Sequence, residues 1–273
     1  MQYKTLLVEI KDKVAKVILN RPDKQNSMNP QLHVDMTQAL EDLRYNDDAH
    51  VIVITGAGKE SFCAGMDLKE VFHELKGKPA EYDRLVRQST EWRGRTLRNY
   101  PKPTIAMVNG YCFGGGFGIV EGCDLAVAAD EAQFGLSEIN FRMLPGGCIS
   151  KALARIMRPR DALFYAMTGR RFDGKKAAEI GFVNFSVPRA QLEAETMALA
   201  RELAAKDPAA LSATKDGYHY SLDMPFDAAV NFAVAKENEL MVLQKGAWVE
   251  QGVGDFVKGL YKPGLESHEA LAK

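Results

Sequence analysis

Three stretches of the chain carry residues whose types and spacing could do chemistry. In SFCAGMDLKE (61–70), the small residues Ala64 and Gly65 precede a helical pattern, so backbone N–H groups at Met66 and Asp67 could point out of the turn. In NGYCFGGGFG (109–118), three successive glycines follow a buried apolar run and open a helix. Glycine lets backbone approach a ligand closely, and a helix start supplies unpaired donors. In FGLSEINFRMLPGG (134–147), one carboxylate, Glu138, sits among apolar residues and could act as a general acid or base. Each has a plainer reading: the glycines as tight packing, and Glu138 as a hydrogen-bonded structural carboxylate. The glycines are not spaced as a dinucleotide fingerprint, no Gly-Lys-Ser/Thr follows as in a P-loop, and no Gly-x-Ser-x-Gly elbow occurs. The five histidines (His33, His50, His73, His219, His268) are far apart, show no ligand spacing and are expected mostly at the surface, so no metal site is expected.

The elements that must position these stretches read as α/β. Residues 3–10 and 14–19 are strand-like, and a helix capped by Asn29 with Pro30 in its first turn runs to about Tyr45. The apolar runs 51–55, 104–109 and 125–129 have the pattern of strands buried on both faces, with helical stretches between them as in parallel crossovers. Beyond about residue 146 the pattern is helical (148–157, 159–168, 174–180, 188–206 and 208–257), with 183–187 the one later strand. The chain is thus expected to hold an α/β core over 1–195 and a helical region over 196–273 packed on the core or on a neighbouring subunit.

Composition bounds the class. The 273 residues carry a net charge of −1, 46% are hydrophobic and 26% charged, an ordinary globular balance that excludes disorder and gives no general attraction for nucleic acid. No apolar run approaches a membrane span, the N-terminus alternates apolar and charged residues unlike a signal peptide, and Cys63, Cys112, Cys123 and Cys148 suggest neither a disulfide framework nor a zinc site. A soluble, cytoplasmic, reduced protein is expected.

Taken in order, the three stretches resemble the crotonase (enoyl-CoA hydratase/isomerase) superfamily. The resemblance extends from NRP (20–22) through KPTIAMVNGY (102–111) and FGLSE (134–138) to LPG (144–146), AAEIGFV (177–183) and Pro188, and within the superfamily it is nearest the hydroxycinnamoyl-CoA hydratase-lyases. It implies a spiral of ββα units followed by a helical trimerisation region, a homotrimer or dimer of trimers, an acyl-CoA substrate and no separate cofactor. It also implies an oxyanion hole at the N–H groups of Met66 and Gly115, with Glu138 as acid and base. The expected reaction is hydration of an aryl-propenoyl-CoA and retro-aldol cleavage to an aldehyde and acetyl-CoA. Alternatives are hydration or isomerisation without cleavage, and a non-catalytic CoA-binding relative. By position, Lys24 falls near the nucleotide of CoA, Ala64, Met66 and Leu68 along its pantetheine and thioester, and Ser137, Phe141 and Gly146 around the acyl group.

Two departures matter. Where ordinary hydratases carry a first carboxylate, this chain has Gly118. Glu121, on the same helical face, is either a substitute carboxylate or a solvated or salt-bridged side chain. Where hydroxycinnamoyl enzymes present tyrosines to the ring hydroxyl, the chain has Val71 and approximately Val234, so the acyl group is expected to be an unsubstituted or differently substituted aryl, or not aromatic.

Overall fold

The computed structural model describes residues 2–147 and 149–260; Cys148, His268 and the end of the helical region expected over 196–273 lie outside them. The chain divides into two compact units, Met1–Arg201 and Glu202–Lys273, and the division expected after residue 195 lies inside a helix.

In the first unit the long apolar runs form one sheet. Strands β1 (Leu6–Lys11) and β2 (Val14–Leu19) make an antiparallel hairpin, with Asp12 and Lys13 both at positive φ in its turn. Helix α1 (Pro30–Arg44) follows, its first turn closed by the Asn29 side chain accepting from the Leu32 N–H. Its core face carries Leu32, Met36, Leu40 and Leu43, while Val34 faces out. Asp35 accepts from the N–H groups of Lys4 and Thr5 and from the Thr5 hydroxyl, which ties α1 to the start of β1. Strand β3 (Val51–Gly56) is buried along its whole length, as expected of a central parallel strand.

From β3 onward the chain alternates between this sheet and a second one. It crosses to the short strand β4 (Ser61–Cys63), returns through helix α2 (Pro79–Thr90) to β5 (Thr104–Val108), and crosses again to β6 (Tyr111–Phe113). Helix α3 (Phe117–Gly122) leads to β7 (Leu125–Ala129) and then to β8 (Gln133–Gly135). Each passage is a strand in one sheet, a strand in the other and a helix back, the ββα turn of a spiral. Helices α4 (Ile149–Ile156) and α5 (Pro159–Thr168) precede the two-residue strand β9 (Phe172–Asp173). Helix α6 (Gly174–Glu179), strand β10 (Phe185–Val187) and helix α7 (Arg189–Ala204) complete the unit. The first sheet has the order β1-β2-β3-β5-β7-β10, parallel apart from the first hairpin, and the second β4-β6-β8-β9, parallel apart from its last pair.

An aromatic cluster underlies the second sheet. Phe117 stacks on Phe182 at 4.7 Å between centroids, Phe134 on Phe172 at 5.3 Å, and Tyr165 closes the group. The expectation of surface histidines fails at His33, which is fully buried and accepts from the Trp92 indole N–H at 2.9 Å; burial, then the charge of Arg93, lowers it to about 3.

The second unit contains α8 (Pro208–Ser221), capped by the Asp207 side chain, α9 (Phe226–Gln244) and α10 (Gly254–Val257). Among the described residues no helix is long and apolar enough to cross a membrane.

Candidate active site

Parallel strands β4, β6 and β8 lie side by side, so the loops that leave them emerge from one edge of the second sheet. The carboxyl ends of adjacent parallel strands are where α/β proteins build ligand sites, and the three stretches singled out in the sequence are these three loops.

The loop after β4 is pinned on one side to residues 25–28. The Ala64 N–H donates to the Gln25 carbonyl, the Met28 N–H to that of Gly65 and the Asp67 N–H to that of Met28, at 2.7–3.0 Å. Backbone direction alternates along such a bridge, so the Met66 N–H faces the other way, and no acceptor takes it among the described residues. Gly65 has φ +93°, and a Cβ there would stand 2.9 Å from the Phe113 carbonyl oxygen and 3.2 Å from the Gly115 nitrogen. Only glycine lets the two loops touch. Asp67 then accepts from the N–H groups of Lys69 and Glu70 and starts a π-helical turn, Leu68–His73. Burial pushes its carboxyl up, but the Glu70 N–H and the Arg21 guanidinium at 3.1 Å outweigh that and hold it below its ordinary range. The Asn26 amide closes the base of the loop: its oxygen accepts from the Arg21 N–H, and its nitrogen donates to the carbonyls of Ala57 and Ser61.

The glycines after β6 form a 3-10 turn, Gly114–Gly116, that runs into α3. The Gly115 N–H lies outside the hydrogen bonds of that turn and has no acceptor among the described residues. A Cβ on Gly115 would meet the Met28 Cε at 3.0 Å and the Met66 Cγ at 3.5 Å, so the two expected oxyanion donors belong to loops in contact. Gly114, at φ +48°, presents its α-carbon to Glu138, whose Oε1 would be 3.1 Å from a Cβ there. Glu138 arrives from β8 on the 3-10 turn Ser137–Phe141. Its Oε2 is buried with no hydrogen-bond partner among the described residues. Burial raises its carboxyl above the ordinary range, opposed by its own N–H and by Arg93.

Two further groups complete the site. Arg93 comes from a second π-helical turn, Glu91–Thr96, and is 8% exposed. Its Nε donates to the Ser89 carbonyl at 3.1 Å, Nη2 to the Ser89 hydroxyl at 2.6 Å, and Nη1 to the Gly115 carbonyl at 2.5 Å. A Cβ on Gly118 would lie 3.0 Å from Nη1, so a guanidinium fills the place beside Gly118. Glu121 is 7% exposed, and among the described residues neither carboxyl oxygen has a hydrogen-bond or ion-pair partner, unlike the solvated or salt-bridged side chain expected. Burial raises it well above the ordinary range; the charges of Arg93 and Arg98 oppose this and that of Glu138 adds to it. The sequence reading missed Arg93 and Ser89. No motif marks them, and the π-helical turn that aims Arg93 inward has no sequence signature, although such turns are frequent at functional sites.

The remaining expected residues spread outward. Lys24 is exposed at the end of a 3-10 turn, Pro22–Lys24, one residue from the Gln25 carbonyl that holds Ala64. Ala64 and Ser137 are half-buried, Leu68 is exposed, and Val71, on the same π-helical turn as Leu68, is fully buried. Phe141 and Gly146 are exposed, and nothing lies within 4 Å of a Cβ position on Gly146. Val234 is 51% exposed on α9, in the second unit. Among the described residues no group of three His, Cys, Asp or Glu side chains could hold a metal ion.

Comparison with known proteins places the whole chain in a family. The enoyl-CoA hydratase/isomerase family model matches residues 9–257. The chain is 46% identical to a hydroxycinnamoyl-CoA hydratase-lyase of Pseudomonas fluorescens, over 98% of both chains, and 32% identical to an (E)-benzylidenesuccinyl-CoA hydratase of Thauera aromatica, over 83% of this chain and 86% of the other. A solved enoyl-CoA hydratase subunit of Geobacillus kaustophilus superposes with a TM-score of 0.86 at 30% identity, covering 97% of this chain and 99% of the other.

Proposed function

Because the chain belongs to the enoyl-CoA hydratase/isomerase family, the crotonases, we propose that it is a hydratase-lyase acting on an aryl-propenoyl-CoA. One observation carries the reading: the unpaired N–H groups of Met66 and Gly115 lie on touching loops, with the Glu138 carboxylate against the neighbouring Gly114.

The two N–H groups bind the thioester oxygen, where negative charge grows as the thioester becomes an enolate. In hydration, Glu138 takes a proton from water as hydroxyl adds to the β-carbon, and the electron pair moves to the thioester oxygen. The carboxylic acid then returns a proton to the α-carbon, giving the β-hydroxyacyl-CoA. In cleavage, Glu138 removes the proton of the β-hydroxyl, the Cα–Cβ bond breaks, an aldehyde leaves, and the acetyl-CoA enolate takes the proton back. Burial raises the Glu138 carboxyl toward neutral pH, which suits a group that must both accept and return a proton.

Lys24 meets the CoA phosphates; Ala64 and Leu68 line the pantetheine; Ser137, Phe141 and Gly146 border the acyl group. Val71 and Val234 offer no hydroxyl to a ring substituent, so the preferred acyl group lacks the phenol of hydroxycinnamate. CoA enters as part of the substrate with no other cofactor, the helical region builds a trimer or dimer of trimers, and the enzyme works in the cytoplasm.

A panel of cinnamoyl-, hydroxycinnamoyl- and aliphatic enoyl-CoA thioesters, read by mass spectrometry, tests the reaction. Aldehyde and acetyl-CoA are expected; the β-hydroxyacyl-CoA alone would overturn cleavage. That outcome would favour simple hydration, to which the buried Glu121 lends support as a second carboxyl group near Glu138.

A further inference from the structure

The Arg93 guanidinium lies against the Gly115 carbonyl and Gly118, and its charge acts on both Glu138 and Glu121. We propose that Arg93 is a positioning residue of the reaction, clamping the Gly115 peptide of the oxyanion hole and supplying the counter-charge to Glu138. The proposal rests on the roles given above to Gly115 and Glu138.

Gly115 sits in a run of three glycines, the backbone with the most freedom to rotate, and a donor whose direction matters needs an external hold. Arg93 provides one. Its Nη1 makes a 2.5 Å charge-assisted hydrogen bond to the Gly115 carbonyl, and its Nε and Nη2 are fixed by both oxygens of Ser89. The fork is therefore held along two edges. Space is made for it: a Cβ on Gly115 would come within 3.2 Å of Nη1, and one on Gly118 within 3.0 Å. A side chain at either glycine would push the guanidinium away.

The charges around the clamp make it matter. Arg93 faces Glu138 on the turn after β8, Glu121 on α3, His33 on α1 and Cys63 on β4; Cys112 on β6 faces Glu121, as does Arg98. Burial keeps His33 neutral, lowered to about 3, pushes the Cys63 thiol up to about 11, and raises Cys112 and Glu121 well above their ordinary values. His33, Cys63 and Cys112 are uncharged near neutral pH and burial works against charge on Glu121, so the Arg93 charge opposes the cost of desolvating the Glu138 carboxylate.

The variants R93Q and R93K test this. Steady-state rates between pH 5 and 9 are measured with the best thioester of the panel, alongside thermal melting and the near-ultraviolet enolate band of bound acetoacetyl-CoA, a β-ketoacyl thioester whose enolate carries the charge the hole must hold. R93Q is expected to lower kcat about 10²-fold, the scale of a lost oxyanion donor, with KM within about threefold. The ascending limb of its pH profile should move to higher pH, because the charge that holds Glu138 down is gone, and the enolate band should weaken. R93K keeps the charge without the fork; its limb should stay in place while kcat and the enolate band recover only in part. G118A should repeat part of the loss and add little to R93Q. An R93Q enzyme with kcat within threefold and an unmoved limb overturns the proposal. So does a loss of rate with an unchanged limb and band and a lowered melting temperature, which would make Arg93 a packing residue. If R93Q does not fold, R93K decides: a wild-type kcat and band there overturn the clamp. Absence of the enolate band from the wild-type protein would instead overturn the oxyanion assignment itself.

Discussion

The two sheets of the first unit are built on different terms. The six-stranded sheet has central strands of five or six residues, β3 and β5 buried throughout, and the carboxylate that anchors it to α1 is well paired: Asp35 accepts from two N–H groups, the Thr5 hydroxyl and the Gln31 amide. The four-stranded sheet has strands of two or three residues, glycines at positive φ beside it, and near it, at Glu121 on α3 and at Glu138, buried carboxyl oxygens with no partner among the described residues. The carboxylate of one region is satisfied and those of the other are poised, as expected where folding stability and chemistry are divided between neighbouring layers.

The sharpest way to break that contrast is E138Q. It removes the proposed acid/base and keeps the shape, so kcat/KM is expected to fall about 10²–10⁴-fold, with CoA binding by calorimetry within a few-fold. Retained activity would place the acid/base elsewhere, with Glu121 the first group to examine. The converse change, Ile54→Ala in the first sheet, is expected to cost about 2–5 kcal/mol in denaturant unfolding while kcat of the folded fraction stays within twofold. A comparable fall in kcat there would show that the sheets are not separable.

Carboxyl titration sharpens the contrast with opposite signs. Hydrogen bonds hold Asp35 below its ordinary range against the pull of burial, so its stabilisation is present above the unfolded pKa and is lost as pH falls through the folded one. Asp35→Asn should cost about 1–3 kcal/mol at pH 7, and less in acid. Glu121 is raised, so the folded chain keeps a proton that the unfolded chain releases, and stability falls as pH rises above the unfolded pKa. Glu121→Gln should therefore stabilise by about 1–2 kcal/mol near pH 8, with the gain vanishing below pH 4; urea titrations at the two pH values check both. The smallest effect is expected at the periphery. Lys24→Ala should raise KM for the thioester a few-fold with kcat unchanged, and the difference should shrink at high ionic strength, since an exposed cation acts through a screened field.

The same contrast decided what could be read from the sequence. Val51–Gly56 and Thr104–Val108 announce themselves as continuous apolar runs, and Asn29-Pro30 marks a helix start, so the first sheet and α1 were legible. Strands of three residues carry no period, and β4, β6, β8 and β9 could not be found that way. Their loops were visible only as compositional oddities, the glycines and one glutamate in an apolar setting, and the family resemblance joined them. That Glu138 and Glu121 lack partners, and that a guanidinium fills the room beside Gly118, depend on packing across segments more than 20 residues apart in sequence. Nothing local in the chain encodes such distances.

Asn26 ties three separate segments at the foot of the Met66 loop: the Arg21 N–H, the Ala57 carbonyl and the Ser61 carbonyl. One fully buried amide thus works as a seam, keeping the reacting end of the loop in register whatever happens at Val71, Phe141 or Gly146. Held apart in this way, the proposed acyl pocket can be rewritten one residue at a time while the loops proposed to hold the thioester stay in place. A lineage carrying such a seam can change its substrate without rebuilding the site.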